Sequence, residues 1–388
     1  MSRRYAASNG QNPSPYLGRH EGKNLSGQEL LDLAGLFTAD SLAIIGSEKN
    51  AGKTTTLNHL IQAARETAYP RPLALTSIGR DGEGEDVVTG GQKPRIYINA
   101  GTYVLTGQKS LAAADALLDI RALTGVRDAM GEIVLARALS DGFVELLGPS
   151  RAQDLNVCEQ VLRAEQAECF YIVDGALSRQ SSAANDLTDG LIYALSAGEA
   201  HNPQELLSKA RHLLGLLRVP AVSFETHDLI QLVLGELRQV SDEPLAAISL
   251  NRDEPAVALY QKTLLGQPNL LLDLVSEKTF LVYLTGALTD SLLQALLRAD
   301  LAAGSQLLVE DGSKLFLSPA SLERLRIAGI ELCALNALDV RFVSYNPRGR
   351  YGHRLADPGL LCELEAQLRL PVIDLGPALN LRPAESQT

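Results

Sequence analysis

Tryptophan is absent from the 388 residues and aromatics make up only 5% of them. Proteins that grip single-stranded nucleic acid stack bases on aromatic rings, so this composition disfavours that class. Basic residues are also in deficit: 35 lysines and arginines against 46 acids give 35 − 46 = −11. That balance argues against a broad electrostatic hold on nucleic acid or on an anionic membrane surface, though not against a local cationic pocket. Cysteine is scarce. Cys158, Cys169, Cys333 and Cys362 are too dispersed for a CxxC unit and too few to staple a secreted fold, so they read as reduced core thiols. No stretch reaches the 18 or so unbroken apolar residues of a membrane span; the nearest, 269–288, is interrupted by Asp273, Glu277 and Lys278. The start, Met1-Ser2-Arg3-Arg4, runs into polar residues and not into an apolar secretory core, which suggests a cytoplasmic chain with a flexible tail over 1–25.

What is present is a rhythm. From about residue 40, short apolar runs alternate with amphipathic stretches, the pattern of an α/β fold around a mostly parallel sheet. Strands are expected at 42–45, 73–78, 95–98, 133–136, 143–147 and 169–173, and in the second half at 246–250, 279–284, 306–309, 314–317, 340–345 and 372–375. Helices are expected at 55–67, 203–217, 288–301 and 358–368. The composition is compatible with a core over 40–200 and an α/β C-terminal half over 201–388 that continues or packs on the same body.

The sharpest chemical signal is Gly46-Ser47-Glu48-Lys49-Asn50-Ala51-Gly52-Lys53-Thr54-Thr55, lying between an expected strand and an expected helix. A nucleoside triphosphate needs backbone N–H groups around its phosphates, a helix N-terminus beneath them, a lysine for the β/γ charge and a hydroxyl for Mg²⁺. Gly52, Lys53 and Thr54 supply these in order. The spacing is G-x5-G-K-T, one longer than the commonest phosphate-loop pattern, because position 47 is serine. Lys49 is out of register for a second signature lysine and is given no catalytic part. The bland alternative is a helix N-cap that happens to read Gly-Lys-Thr.

A phosphate loop needs an acid for the metal shell and groups to orient the nucleophile. Phe170-Tyr171-Ile172-Val173-Asp174-Gly175 has the form of a Walker B strand, with a turn-forming Asp-Gly as the alternative. Arg80 and Asp81, after the 73–78 strand, are candidates for phosphate contact and for Mg²⁺ or water, with a solvated charged loop equally open. Lys93, Thr102 and Thr106 are weaker candidates of the same kind. Ser150 reads as a helix cap, Arg179 as a residue facing the γ-phosphate or a partner, and Asn346-Pro347-Arg348-Gly349 as a strand end that contacts a base or simply turns. The six histidines show no metal-ligand spacing and no GxSxG elbow is present.

Taken together, the 46–55 loop, Ser77 to Glu83, Lys93 to Ile96, Val173 to Ala183 and Asn346-Pro347 resemble the ATPase-like subunit of lysine 5,6-aminomutase reactivase, a member of the SIMIBI class of P-loop proteins. The resemblance spans about residue 40 to the C-terminus. It implies a P-loop NTPase core of SIMIBI type that uses ATP or GTP with Mg²⁺. It also implies a MutS-like ATPase partner and a client, an adenosylcobalamin-dependent aminomutase whose damaged cofactor is exchanged. Lys53, Thr54, Asp81 and Asp174 match its blocks, and a homodimer across the nucleotide is in keeping with the class. Ser178-Arg179-Gln180 and Leu195-Ser196-Ala197-Gly198 depart from its pattern, which leaves the switch region and the substrate open. Two other readings share the G-x5-G-K-T loop: an ATP-dependent ligase of dethiobiotin synthetase type, and a nucleotide-sensing scaffold with little turnover.

Overall fold

A computed structural model describes residues 25–48, 50–78, 95–128, 131–175, 188–198, 200–299, 301–349 and 353–377. The expected tail over 1–25 lies almost wholly outside them. The chain is mixed α/β and forms two compact units. The described residues of the first fall within Pro13–Arg211 and Asp339–Thr388, and the second is His212–Leu338. In this partition the described residues after Leu338 belong with those before His212. The cause is strand pairing: Val340–Gly349 runs parallel to Leu191–Gly198.

With elements numbered along the chain, the first unit holds α1 (Gly27–Leu33), β1 (Ser41–Gly46), α2 (Lys53–Glu66), β2 (Leu73–Ile78), β3 (Ile96–Ile98), β4 (Tyr103–Gly107), β5 (Leu118–Asp128) and β6 (Gly131–Ala138). It continues with β7 (Gly142–Val144), α3 (Ala152–Glu165), β8 (Phe170–Gly175) and β9 (Leu191–Gly198). After α4 (Pro203–Leu217) and the second unit come β17 (Val340–Gly349), α8 (Pro358–Leu368) and β18 (Val372–Ile373). One nine-stranded sheet has the order β18-β17-β9-β1-β8-β2-β4-β6-β5. From β18 to β4 the neighbours run parallel, while β4, β6 and β5 pair antiparallel and form one edge. The short β3 and β7 make a separate antiparallel pair.

Alternation across the sheet sorts side chains into two cores, as the two-residue period of strands requires. On one face Leu42, Ile44, Leu75, Phe170, Ile172, Ile192, Phe342 and Ile373 pack with Leu31 of α1 and Leu57, Leu60, Ile61 and Ala64 of α2. On the other, Ala74, Leu105, Leu135, Tyr171 and Val173 meet Leu155, Cys158 and Leu162 of α3. A central parallel strand is buried on both faces and carries no polar alternation; all six residues of β1 are buried.

The second unit holds α5 (Phe224–Val240), β10 (Leu245–Asn251), β11 (Val257–Tyr260), β12 (Thr279–Leu284), β13 (Leu288–Thr289) and α6 (Asp290–Arg298). It ends with β14 (Gln306–Val309), β15 (Leu315–Phe316), α7 (Pro319–Ala328) and β16 (Glu331–Ala334). Its five-stranded sheet, β11-β10-β12-β14-β16, is antiparallel over the first three strands and parallel over the last three. Ile230 and Leu234 of α5 cover one face, and Leu292, Leu296 and Leu325 of α6 and α7 cover the other.

Several expectations need correction. The helix read over 288–301 is the shorter α6, because Leu288 and Thr289 pair with Leu315 and Phe316 before it starts. Ser150 is not the cap of α3; that position is Arg151, without a side-chain capping bond. Three of the four thiols are buried, but Cys362, on the outer side of α8, is exposed. Among the described residues no helix is long and apolar enough to cross a membrane.

Candidate functional site

The 46–55 segment begins at the carboxyl end of β1, in the middle of the parallel run, where open α/β sheets place their ligands. Gly46 pairs with Ala194 of β9, and the loop then leaves the sheet. Asn50 and Gly52 are left-handed, at φ 64° and 105°. Asparagine tolerates that region better than most residues, and glycine adopts it freely. Gly52 is the N-cap of α2, and no side chain caps the helix or puts an acid in its first turn. The positive end of a fourteen-residue helix is thereby directed at the loop, an arrangement suited to an anion.

Lys53 is the first helical residue and its side chain folds back across the loop. A β-carbon placed on Gly46 would lie 3.1 Å from Lys53 Cγ and 3.2 Å from its Nζ. Glycine at 46 is therefore a matter of space. Thr54 and Thr55 occupy the first turn, half-buried. Thr56 faces inward, its hydroxyl 3.1 Å from the Gly52 carbonyl and 2.6 Å from the Ser344 hydroxyl of β17.

Two strands hold the loop. On the β9 side, Ser47 N–H donates to the Ala194 carbonyl at 2.9 Å, and the Ser196 hydroxyl donates to the Glu48 carboxylate. That carboxylate lies against Gly198, leaving no room for a β-carbon there. Burial, and behind it the Glu48 charge, raises the Tyr193 phenol above its ordinary range. On the β17 side, Asn346 Nδ2 donates to the Asn50 carbonyl at 3.3 Å. Of the loop residues singled out from the sequence, Glu48 is turned to the sheet, while Lys53 crosses the loop. Lys49 lies outside the described residues.

Asp174 stands at the carboxyl end of β8, half-buried, opposite Ile44 of β1 and Ser77 of β2. The strand carrying the acid is thus the immediate parallel neighbour of the strand carrying the loop. Arg80, Asp81, Lys93 and Arg179 lie outside the described residues. Thr106 is buried and its hydroxyl is absorbed by structure: it meets the Ser110 hydroxyl, the Glu145 carbonyl and Leu147 N–H. Thr102 is buried just before β4. Ser196 and Gly198 figure in the sequence only as part of a departure from the family pattern, and Ser344 only within an expected strand; none carries a motif that marks a contact with the loop.

Among the described residues no group of three or more His, Cys, Asp or Glu side chains is disposed to hold a metal ion. A magnesium ion brought in with a triphosphate does not need one, since it takes phosphate and water oxygens with one or two from protein. The Thr54 hydroxyl and the Asp174 carboxylate are hard oxygen donors of that kind. Burial pushes the thiols of Cys158 and Cys333 up to about 12, which leaves them poor nucleophiles.

A scan against protein-family models and searches of the curated proteins and of the solved structures find no match to this chain. Its class therefore rests on its own topology, a mixed α/β chain built on a large, mostly parallel sheet.

Proposed function

We propose that the chain is a Mg-dependent P-loop nucleoside triphosphatase of SIMIBI type that works with a MutS-like ATPase partner to reactivate an adenosylcobalamin-dependent aminomutase. The observation that carries the nucleotide reading is the loop at the end of β1, with Gly52 opening α2 and Lys53 folded over Gly46. In this reading the loop and α2 N–H groups receive the phosphates, and the Lys53 ammonium neutralises charge between the β- and γ-phosphates. Thr54 and Asp174 would hold Mg²⁺, which supplies electrostatic stabilisation of the transferring phosphoryl group. Asp81 would orient water or share the metal, and Arg80 and Arg179 would touch phosphate. The nucleotide is ATP or GTP.

The aminomutase and its partner rest on the ordered sequence blocks from Gly46 to Pro347. The charge of −11 fits protein partners better than nucleic acid. A cytoplasmic site of action and a homodimer across the nucleotide belong to the same reading. The test is phosphate release from Mg²⁺ with ATP or GTP by the intact chain and by Lys53→Ala, with and without the aminomutase and its partner. Loss of turnover on the order of 10²-fold or more is expected for the variant. Equal hydrolysis by both proteins refutes the assignment, and turnover that depends on a small carboxylic acid instead of the proteins selects a ligase.

A further inference from the structure

Two left-handed residues, Asn50 and Gly52, flank Ala51 ahead of Lys53, and Asn346 of β17 lies against both. The Asn50 carbonyl accepts from Asn346 Nδ2 at 3.3 Å. The same peptide unit presents Ala51 N–H to the Glu48 carbonyl at 3.4 Å. Because a trans peptide is planar, with C=O and N–H on opposite sides, these two long bonds act at opposite edges of one plate and fix its rotation. Two residues on, a β-carbon at Gly52 would lie 3.5 Å from Asn346 Cβ, so the asparagine also backs the N-cap of α2. The amide is itself oriented: Asn346 Oδ1 accepts from Arg348 N–H at 3.1 Å. Flipping it would set oxygen against the Asn50 carbonyl and NH₂ against an N–H. Behind it, Ser344 meets Thr56 at 2.6 Å and ties the first turns of α2 to the same strand.

We infer that Asn346 is a positioning residue for the phosphate loop, holding the Asn50–Ala51 peptide so that the N–H groups leading into Lys53 are aimed before any ligand arrives. The inference rests on the nucleotide reading above. Its basis is preorganisation: a loop ordered in advance does not spend binding energy on ordering itself. The contacts of Asn346 run to the loop and to its own strand, so in this inference it acts on the ligand through the loop; a simple structural pin is the competing account, and the two differ in what they disturb. A pin costs stability and leaves affinity alone. A positioning residue costs affinity at nearly constant stability.

The experiment titrates the full chain with a fluorescent ATP analogue and Mg²⁺, and records thermal unfolding of the same samples. Asn346→Asp keeps the shape and the acceptor for Arg348 while removing the donor to Asn50; Asn346→Ala removes both. Each is expected to weaken binding by about tenfold, the scale of one hydrogen bond, with Tm lowered by no more than a few degrees. The loss in Asn346→Asp should persist at high ionic strength, where a purely coulombic effect of the new charge would fade. Wild-type affinity in either variant, or lower stability with unchanged affinity, overturns the inference and leaves the nucleotide reading intact. If the unaltered chain fails to bind the analogue, or binds it no better than Lys53→Ala, the nucleotide reading itself fails and the inference with it.

Discussion

Replacing Gly46 by alanine is a discriminating single change, because it displaces the Lys53 side chain without replacing that residue. The backbone at Gly46 is not left-handed, so no conformational strain is added. The new methyl would sit 3.0 Å from Ala51 Cβ, 3.1 Å from Lys53 Cγ and 3.2 Å from Lys53 Nζ. Carbon pairs prefer about 3.5–4.0 Å, so each contact is tight by roughly half an ångström. Ala51 is 1% exposed and bonded within the Glu48–Ala51 turn, whereas the lysine arm is flexible and half-buried, so the lysine gives way. The stability cost falls at the low end of the overpacking range, about 1 kcal/mol, or a Tm lower by about 2–4 °C. The functional cost is larger, since misplacing a reacting group by about 1 Å can cost on the order of 10²-fold in rate. The assay is steady-state phosphate release beside differential scanning calorimetry. Gly215→Ala serves as control: that helical glycine has nothing within 4 Å of the added carbon, so the variant should be slightly more stable and fully active. Gly46→Ala turning over at the wild-type rate, while Lys53→Ala is inactive, would refute the claim that the folded-back lysine needs the space over Gly46.

Glu48→Gln keeps an oxygen for the Ser196 hydroxyl and removes a negative charge from the loop, so nucleotide should bind several-fold more tightly at low salt, the gain shrinking with ionic strength; equal affinity at every salt concentration would show that the carboxylate does not feel the ligand. A thiol reagent on the native chain should modify Cys362 alone, with Cys158, Cys169 and Cys333 reacting only after denaturation. The raised thiols of Cys158 and Cys333 also make stability fall with alkali. From about pH 9 the unfolded chain gives up these protons while the folded one holds them until about 12, so each costs up to about 1.4 kcal/mol per pH unit in that window, seen as a falling Tm. A Tm constant from pH 8 to 11 would contradict the burial of these groups.

The part of the fold written most plainly in the sequence is the part where local pattern and tertiary environment agree. The 73–78, 279–284 and 306–309 strands and the 203–217 and 358–368 helices are found at their expected bounds, because each is a clean apolar run or an amphipathic stretch ending in a breaker. β9 escapes such reading. Leu-Ile-Tyr-Ala-Leu-Ser-Ala-Gly carries small and hydroxyl residues that suit a helix or a loop as well as a strand, and only its burial between β1 and β17 decides the matter. β5 is hidden for the opposite reason: as the exposed edge of the sheet it mixes Asp119, Arg121 and Arg127 with apolar residues, and it is bulged twice against β6. At the site, Gly46, Gly52, Lys53 and Thr54 are legible since they serve one local turn. The Glu48–Ser196 and Asn50–Asn346 contacts are not, since each joins residues far apart along the chain.

That distance has a consequence in time. Asn50 and Asn346 are 296 positions apart, and Thr56 and Ser344 are 288 apart. A ribosome adding about 5–20 residues per second finishes the loop, its helix and the strand bearing Asp174 well before it reaches β17. During that interval His212–Leu338 emerges and has its own sheet and core to assemble. Closing so long a loop of chain is entropically costly and slow. The setting of the loop is therefore completed last: a nascent or truncated chain ending before Val340 has every residue of the loop yet lacks the strand whose Asn346 and Ser344 bond to it and to α2.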